Sequence, residues 1–168
     1  SAKALKQKVF ELSITAWNSH SEQLDPIPLA WLRSARRKPW QRCAVDDAGN
    51  SLNNSQLVTA VSGLSRQLVL PGNERHIGVL LPPNTTALQA ILALCLRGKV
   101  IVPLNHTLPA EIFRSMLKLT SVQRVVTSHA YLAELSGAGT DTDKLLRGVQ
   151  LIFMEDLARK VPAWRRIA

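Results

Sequence analysis

From position 43 onward, short apolar runs alternate with longer stretches in which apolar residues recur every three or four positions. Runs of the first kind suit strands buried on both faces, and the second pattern suits helices laid over them. Segments 76–81, 100–104, 123–127 and 149–154 read as strands. A helix capped by Asn54 or Ser55 and running to about residue 70 has Leu57, Val61, Leu64 and Leu68 at helical spacing, and Pro71-Gly72-Asn73 ends it. Asn84, Thr85 or Thr86 begins the next helix, which runs through Leu96, with Gly98 as its left-handed terminator. Thr107 is expected to cap a helix over 109–119, and Ser128 one that ends at Leu135. Residues 136–143 read as a polar loop, and a last helix is predicted from Asp156 to Pro162.

Two strands, 42–46 and 51–53, flank the turn Asp47-Ala48-Gly49-Asn50, where Gly and Asn tolerate the positive φ of a tight hairpin. Before them the pattern changes. Residues 3–17 suit an amphipathic helix with Leu5, Val9, Leu12 and Trp17 near one face, and Asp25-Pro26-Ile27-Pro28 interrupts it. A short helix over 29–37 follows, with Leu29, Leu32 and Ala35 inward and three arginines outward. The fold class expected is α/β, a mostly parallel sheet with helices on both faces plus a small β-hairpin. Residues 1–42 are expected to be a linker with lead-in helices and 43–168 the incomplete amino-terminal part of a larger domain.

Composition narrows the classes. Hydrophobic residues make up 46% and charged residues 20%, which fits a folded chain with a core. The longest apolar stretch, 87–96, is half of what a membrane-spanning helix needs. No apolar secretion-signal region opens the chain, and Cys43 and Cys95 lack metal-ligand spacing, so a cytoplasmic protein is expected, with access to the inner face of the membrane. The start without Met suggests a piece of a longer protein.

A net charge of +9 changes the picture more. The cations cluster as Lys3, Lys6 and Lys8, then Arg33, Arg36, Arg37, Lys38 and Arg42, and finally Arg159, Lys160, Arg165 and Arg166. Such clusters favour anionic partners within about a Debye length. Aromatic residues at 5%, with no zinc-finger or RNP pattern, disfavour nucleic acid; the clusters read first as a solvated surface with linkers, and an anionic membrane surface is the candidate partner.

Ligands of parallel α/β sheets bind beyond the carboxyl ends of the strands. Here those ends are Pro82-Pro83-Asn84, Asn105-His106-Thr107, Thr127-Ser128-His129 and Glu155-Asp156. Read locally, Thr107 and Ser128 are helix caps, His106 and His129 loop histidines, and the carboxylates turn residues. Neither glycine-rich nucleotide fingerprint, nor a nucleophile elbow, nor a zinc motif occurs.

The order of several segments resembles the adenylate-forming superfamily of acyl-CoA synthetases, acyl-carrier-protein synthetases and peptide-synthetase adenylation domains. Asp46 through Leu57 holds the place of that family's D-x-x-G hairpin and Thr-Tyr-x-Glu-Leu segment, with Asn53, Asn54 and Gln56 replacing Thr, Tyr and Glu. Gly78-Val79-Leu80-Leu81-Pro82-Pro83-Asn84-Thr85 is similar to its G-V-x-L-P-N-S/T turn, with one extra proline. Leu94 through Asn105 matches L-x-A-G-x-x-x-V-P-L-N/D, except that Arg97 stands before the glycine, and Val125-Val126-Thr127-Ser128 completes the series. The finer run Leu104-Asn105-His106-Thr107 and the segment Val149 to Leu157 resemble the bifunctional 2-acylglycerophosphoethanolamine acyltransferase/acyl-carrier-protein synthetases, in which an acyltransferase domain precedes the ligase.

This resemblance implies a Rossmann-like amino-terminal subdomain of an ATP-dependent, AMP-forming fatty acyl ligase. The parent would use ATP and Mg, with fatty acid and acyl-carrier protein or coenzyme A as partners. It assigns no catalytic or metal residue here and no cofactor to the fragment itself, which is expected to be inactive alone. It places Asn105, His106 and Thr107 at the substrate side of the cleft. The alternative is a non-catalytic α/β module that binds an anionic membrane surface or nucleic acid. A fragment that exposes its apolar face is expected to dimerise.

Overall fold

The computed structural model describes residues 2–21 and 25–159; the predicted end of the last helix and the terminal cations Lys160, Arg165 and Arg166 lie outside them, as do the side chains of Lys3 and Trp17. The chain forms helix α1 (Ala2–Ser21), helix α2 (Ile27–Arg37), a hairpin of β1 (Arg42–Val45) and β2 (Ser51–Asn53), and then α3 (Asn54–Gln67). There follow β3 (His76–Val79), α4 (Thr85–Leu96), β4 (Val100–Pro103), α5 (Ala110–Leu119), β5 (Arg124–Thr127), α6 (His129–Gly137), α7 (Thr142–Leu145), β6 (Gln150–Phe153) and α8 (Met154–Arg159).

The strands β3 to β6 form one four-stranded sheet in the order β4-β3-β5-β6. Every pairing is parallel, with Ile77 opposite Ile101, Val79 opposite Val126 and Val126 opposite Ile152. Alternate residues of each strand therefore feed two cores. Ile77, Val79 and Val126 pack with Leu57, Val61 and Leu64 of α3, Ala90, Ala93 and Leu94 of α4 and Leu157 of α8. Leu80, Val102 and Val125 pack on the other face with Phe113 and Leu117 of α5, Leu135 of α6 and Leu145 of α7. Gly78 points to that second face, and a Cβ there would lie 2.9 Å from Leu104 Cδ1 and 3.0 Å from Val125 Cγ2. Glycine is needed for close packing at this position.

Helix α2 packs on α3 and α4. Its inward residues are Trp31, Leu32 and the buried Ala35, whereas Leu29, expected inward, is 41% exposed. The helix starts two residues before the predicted one, at Ile27, and at 3.6 residues per turn Leu29 falls on the arginine side.

Other boundaries differ for identifiable reasons. The cap of α3 is Asn53, not Asn54 or Ser55: its side chain accepts from Gln56 N at 2.8 Å, and Gln56 Oε1 accepts from Asn53 N at 3.0 Å. This capping box uses the same Asn53 and Gln56 that depart from the family's Thr and Glu. The helix stops at Gln67, short of the predicted residue 70. Asp141 accepts a hydrogen bond from Lys144 N at 2.9 Å, so the end of the expected polar loop is the short helix α7.

In the hairpin, Asp46 accepts from Asn50 N at 2.9 Å and from Asn50 Nδ2 at 3.1 Å, and Gly49 takes φ +82°. Thr85, the first residue of α4, donates its hydroxyl to the same carboxylate at 3.0 Å. The hairpin is thus tied to the carboxyl-end loop of β3.

Candidate functional site

Strand order creates the crevice. From β3 the chain passes through α4 to β4 on one side, and from β4 it returns through α5 to β5 on the other side of β3. Neighbouring strands β3 and β5 therefore send their connections in opposite directions, which parts the loops at their carboxyl ends and makes a topological switch point. The loops there begin with capped helices: Asn84 Oδ1 accepts from Ala87 N at 3.0 Å, and Ser128 Oγ accepts from Tyr131 N at 3.0 Å.

Asn105, His106 and Thr107 follow β4 beside this crevice. Thr107 does not cap α5; Pro109 precedes that helix with no side-chain cap. The Thr107 backbone N–H and hydroxyl instead donate to Asn105 Oδ1 at 3.0 and 2.8 Å. A short polar side chain two residues back competes effectively for these donors. Asn105 and Thr107 are exposed and His106 is half-buried.

His106 meets a residue that pattern reading missed. Its Nδ1 lies 3.2 Å from the hydroxyl of Tyr131, and the rings meet edge to face at 6.1 Å between centroids. Tyr131 is in the first turn of α6 and packs on the second core. Burial pushes its phenol up, and Glu134 adds to the rise, so the hydroxyl keeps its proton at neutral pH. It donates to Nδ1 when the imidazole carries its hydrogen on Nε2. The pair links the loops after β4 and β5, the two strands that flank β3. The available signal was Tyr131 at the third position after the cap Ser128, where a side chain turns back toward the strand ends.

A second group closes the far side. His129 stacks on Phe153, with 3.7 Å between ring centroids and 10° between planes. Its backbone N–H donates to Glu155 Oε1 at 3.0 Å, and its Nε2 lies 4.0 Å from Asp156 Oδ2. Glu155 and Asp156, read from sequence as turn residues, stand in the first turn of α8, where carboxylates favour the positive end of the helix. Thr127 Oγ1 and Glu155 Oε2 are buried and have no hydrogen-bond partner among the described residues.

These strand ends assemble imidazoles, hydroxyls and carboxylates. The nearby guanidinium of Arg159 is already 3.9 Å from Asp156. A triphosphate requires cations and aimed N–H groups, so this donor set does not fit the phosphates of ATP. Among the described residues no group of His, Cys, Asp and Glu is arranged to hold a metal ion, and no helix is long and apolar enough to cross a membrane. A groove of about 220 Å³ lies along β6, bordered by Leu68, Arg124, Phe153 and Leu157. It is at the opposite sheet edge from β4 and includes none of Asn105, His106 or Thr107.

The profile of the AMP-binding enzyme family matches residues 31–162. Solved structures share the fold at low identity. The N-terminal subdomain of Klebsiella oxytoca NpsA superposes with a TM-score of 0.66 at 16% identity, over 83% of this chain and 34% of that one. The o-succinylbenzoate coenzyme A synthetase MenE from Bacillus subtilis, in complex with ATP and magnesium ion, gives 0.65 at 18% identity, over 81% and 34%. An artificially fused adenylation–PCP di-domain, NpsA-ThdA from Klebsiella oxytoca, gives 0.66 at 16% identity, over 83% and 26%. The chain spans about a third or less of the length of these solved proteins.

Proposed function

The chain belongs to the AMP-binding enzyme family, and from that premise we propose that it supplies the amino-terminal subdomain of an ATP-dependent, AMP-forming acid–thiol ligase that activates a fatty acid. Residues 43–168 form the start of the ligase domain, and residues 1–42 lead into it, with α2 docked on α3 and α4. The acceptor is acyl-carrier protein, with coenzyme A as the second choice, and an acyltransferase domain precedes the ligase as in the bifunctional enzymes the sequence resembles.

The observation that carries this reading is the family match over 31–162 on a parallel sheet whose switch point opens at the His106–Tyr131 pair. In that arrangement, Asn105, His106 and Thr107 line the acyl or thiol-acceptor side of the cleft. ATP and Mg are held by the part of the enzyme that provides the phosphate grip. What this chain contributes is a rigid wall. Its protonated Tyr131 fixes the His106 ring, and the Asn105–Thr107 turn fixes the loop from which that ring projects.

The test is fatty-acid-dependent exchange of pyrophosphate into ATP by the intact gene product, followed by transfer to acyl-carrier protein or coenzyme A. Exchange with fatty acids and thioester formation on acyl-carrier protein are expected. Exchange confined to aryl acids would overturn the fatty-acid assignment, and no exchange with any acid would overturn the ligase reading.

A further inference from the structure

We propose that the turn at 38–41, together with the outer face of α2, is a docking element for an anionic lipid bilayer, with Trp40 as the side chain that enters the headgroup layer. The inference does not depend on the ligase reading.

Trp40 is 80% exposed, an unusual placement for the largest apolar side chain. The turn that carries it is firmly built. Gln41 N donates to Lys38 O at 3.2 Å, Ser55 N to Pro39 O at 2.9 Å and Asn54 N to Gln41 O at 3.0 Å. The buried Asn54 adds a side-chain bond from Nδ2 to Lys38 O at 2.8 Å. Four hydrogen bonds therefore hold the indole out from the surface on a backbone tied to the start of α3.

Four exposed cations stand within four residues of that indole in the chain. Arg36 and Arg37 end α2 on its solvent side, and Lys38 and Arg42 bracket the turn. None of these four forms an ion pair among the described residues; Arg33, one turn back, is paired with Asp25. On the same helix Ile27 and Leu29 are exposed. An exposed indole with unpaired cations on both sides of it in the chain complements a surface that is negative outside and apolar beneath. Tryptophan settles at the headgroup level, while long basic side chains spread along the phosphates. Nucleic acid would use the cations, but a lone indole with no second exposed ring beside it in this turn is a poor stacking platform for successive bases.

The experiment is co-sedimentation of the 168-residue chain with vesicles of phosphatidylcholine alone and of phosphatidylcholine mixed with phosphatidylglycerol. Binding only to the mixed vesicles is expected. The W40A variant should bind about tenfold more weakly, from the lost burial of one large apolar side chain. The double variant R36E/R37E should lose at least about twentyfold, at about fivefold per cation near an anionic surface. Mixed vesicles with brominated chains should quench part of the tryptophan emission in the wild type and less of it in W40F, which keeps an apolar ring at the turn. Unchanged circular dichroism of the variants separates docking from folding. Equal binding to neutral vesicles would overturn the proposal, as would unweakened binding by W40A and R36E/R37E. Binding to duplex DNA without binding to mixed vesicles would overturn it in favour of nucleic acid.

Discussion

The Tyr131 hydroxyl and His106 Nδ1 lie 3.2 Å apart, although 25 residues separate them in the chain. The contact ties the loop after β4 to the first turn of α6, so the half-buried imidazole is held in one orientation beside the switch point. Removing the hydroxyl with Tyr131→Phe leaves the ring packing intact and should cost about 1 kcal/mol, the net worth of one such bond. Urea denaturation measures that loss. Nitrogen chemical shifts of the imidazole should report an acceptor Nδ1 in the wild type and lose the hydrogen-bond signature in the variant. An unchanged spectrum would mean that the two groups do not interact in solution.

At the opposite end of the sheet Glu74 is buried and paired with Arg124 of β5. Lys99 donates to the Glu74 carbonyl at 2.7 Å and to the Pro71 carbonyl at 3.0 Å, which fixes the turn that presents the carboxylate. Among the described residues Glu74 Oε1 is buried without a hydrogen-bond partner, so the arginine is its principal compensation. Arg124→Met should destabilise the fold by about 3 kcal/mol, because it strands a buried charge. Adding Glu74→Gln should recover part of that loss, and a double-mutant cycle in urea checks the sign.

Gly78 gives a packing test. With a methyl group directed at Leu104, Val125 and Val122 at 2.9 to 3.2 Å, Gly78→Ala must displace three core side chains at once. About 1–3 kcal/mol of destabilisation is expected from overpacking. Gly72, whose added Cβ meets nothing within 4 Å, serves as the control and should tolerate alanine.

The central architecture was legible because both periods are plain in the chain. Apolar runs such as Ile77 through Leu80 are buried on both sides of the sheet, and the helical spacing of Leu57, Val61 and Leu64 reappears as one wall of the first core. What eluded the pattern were contacts decided by side-chain competition. Thr107 was a plausible cap until Asn105 claimed its donors, and Asn53 outcompeted Asn54 because only Asn53 has a glutamine three residues on. Asn54 turned inward to hold Lys38 O. The partner of His106 could not be read either, since Tyr131 reaches it only after β4 and β5 have taken their places on either side of β3. At α2 the apolar count was right and the face was not: at about 100° per residue Leu29 lies about 120° around the helix from Ala35, whereas Trp31 lies about 40° from it.

Asp46 should give the fold a measurable acid sensitivity. Hydrogen bonds from Asn50, and then from Thr85, hold its carboxyl below the ordinary value of 3.8, against an opposing pull from desolvation. Its folded-state value is therefore lower than its unfolded one, and the unfolded chain binds the proton more readily. The contribution to stability is fully present above the unfolded value and is lost as pH falls through the folded one. Urea midpoints should drop between about pH 5 and about pH 2, and Asp46→Asn should make that slope shallower. A parallel slope in the variant would remove Asp46 as the source.

The carboxyl ends of the strands bring together His106, Tyr131, His129, Glu155 and Asp156, and the Arg159 guanidinium beside them is already close to Asp156. Bringing a triphosphate against two carboxylates is unfavourable, because like charges in a partly buried site repel and the Arg159 guanidinium is already engaged by Asp156. A chain of residues 1–168 should therefore show no heat of ATP binding by calorimetry, with or without magnesium, and no ATP hydrolysis. The intact gene product should bind ATP, because in the proposed ligase the phosphate grip is supplied by the rest of the enzyme. Affinity in the micromolar range for the short chain would mean that the switch-point loops rearrange to present backbone N–H groups that are now committed to Asn84 and Ser128.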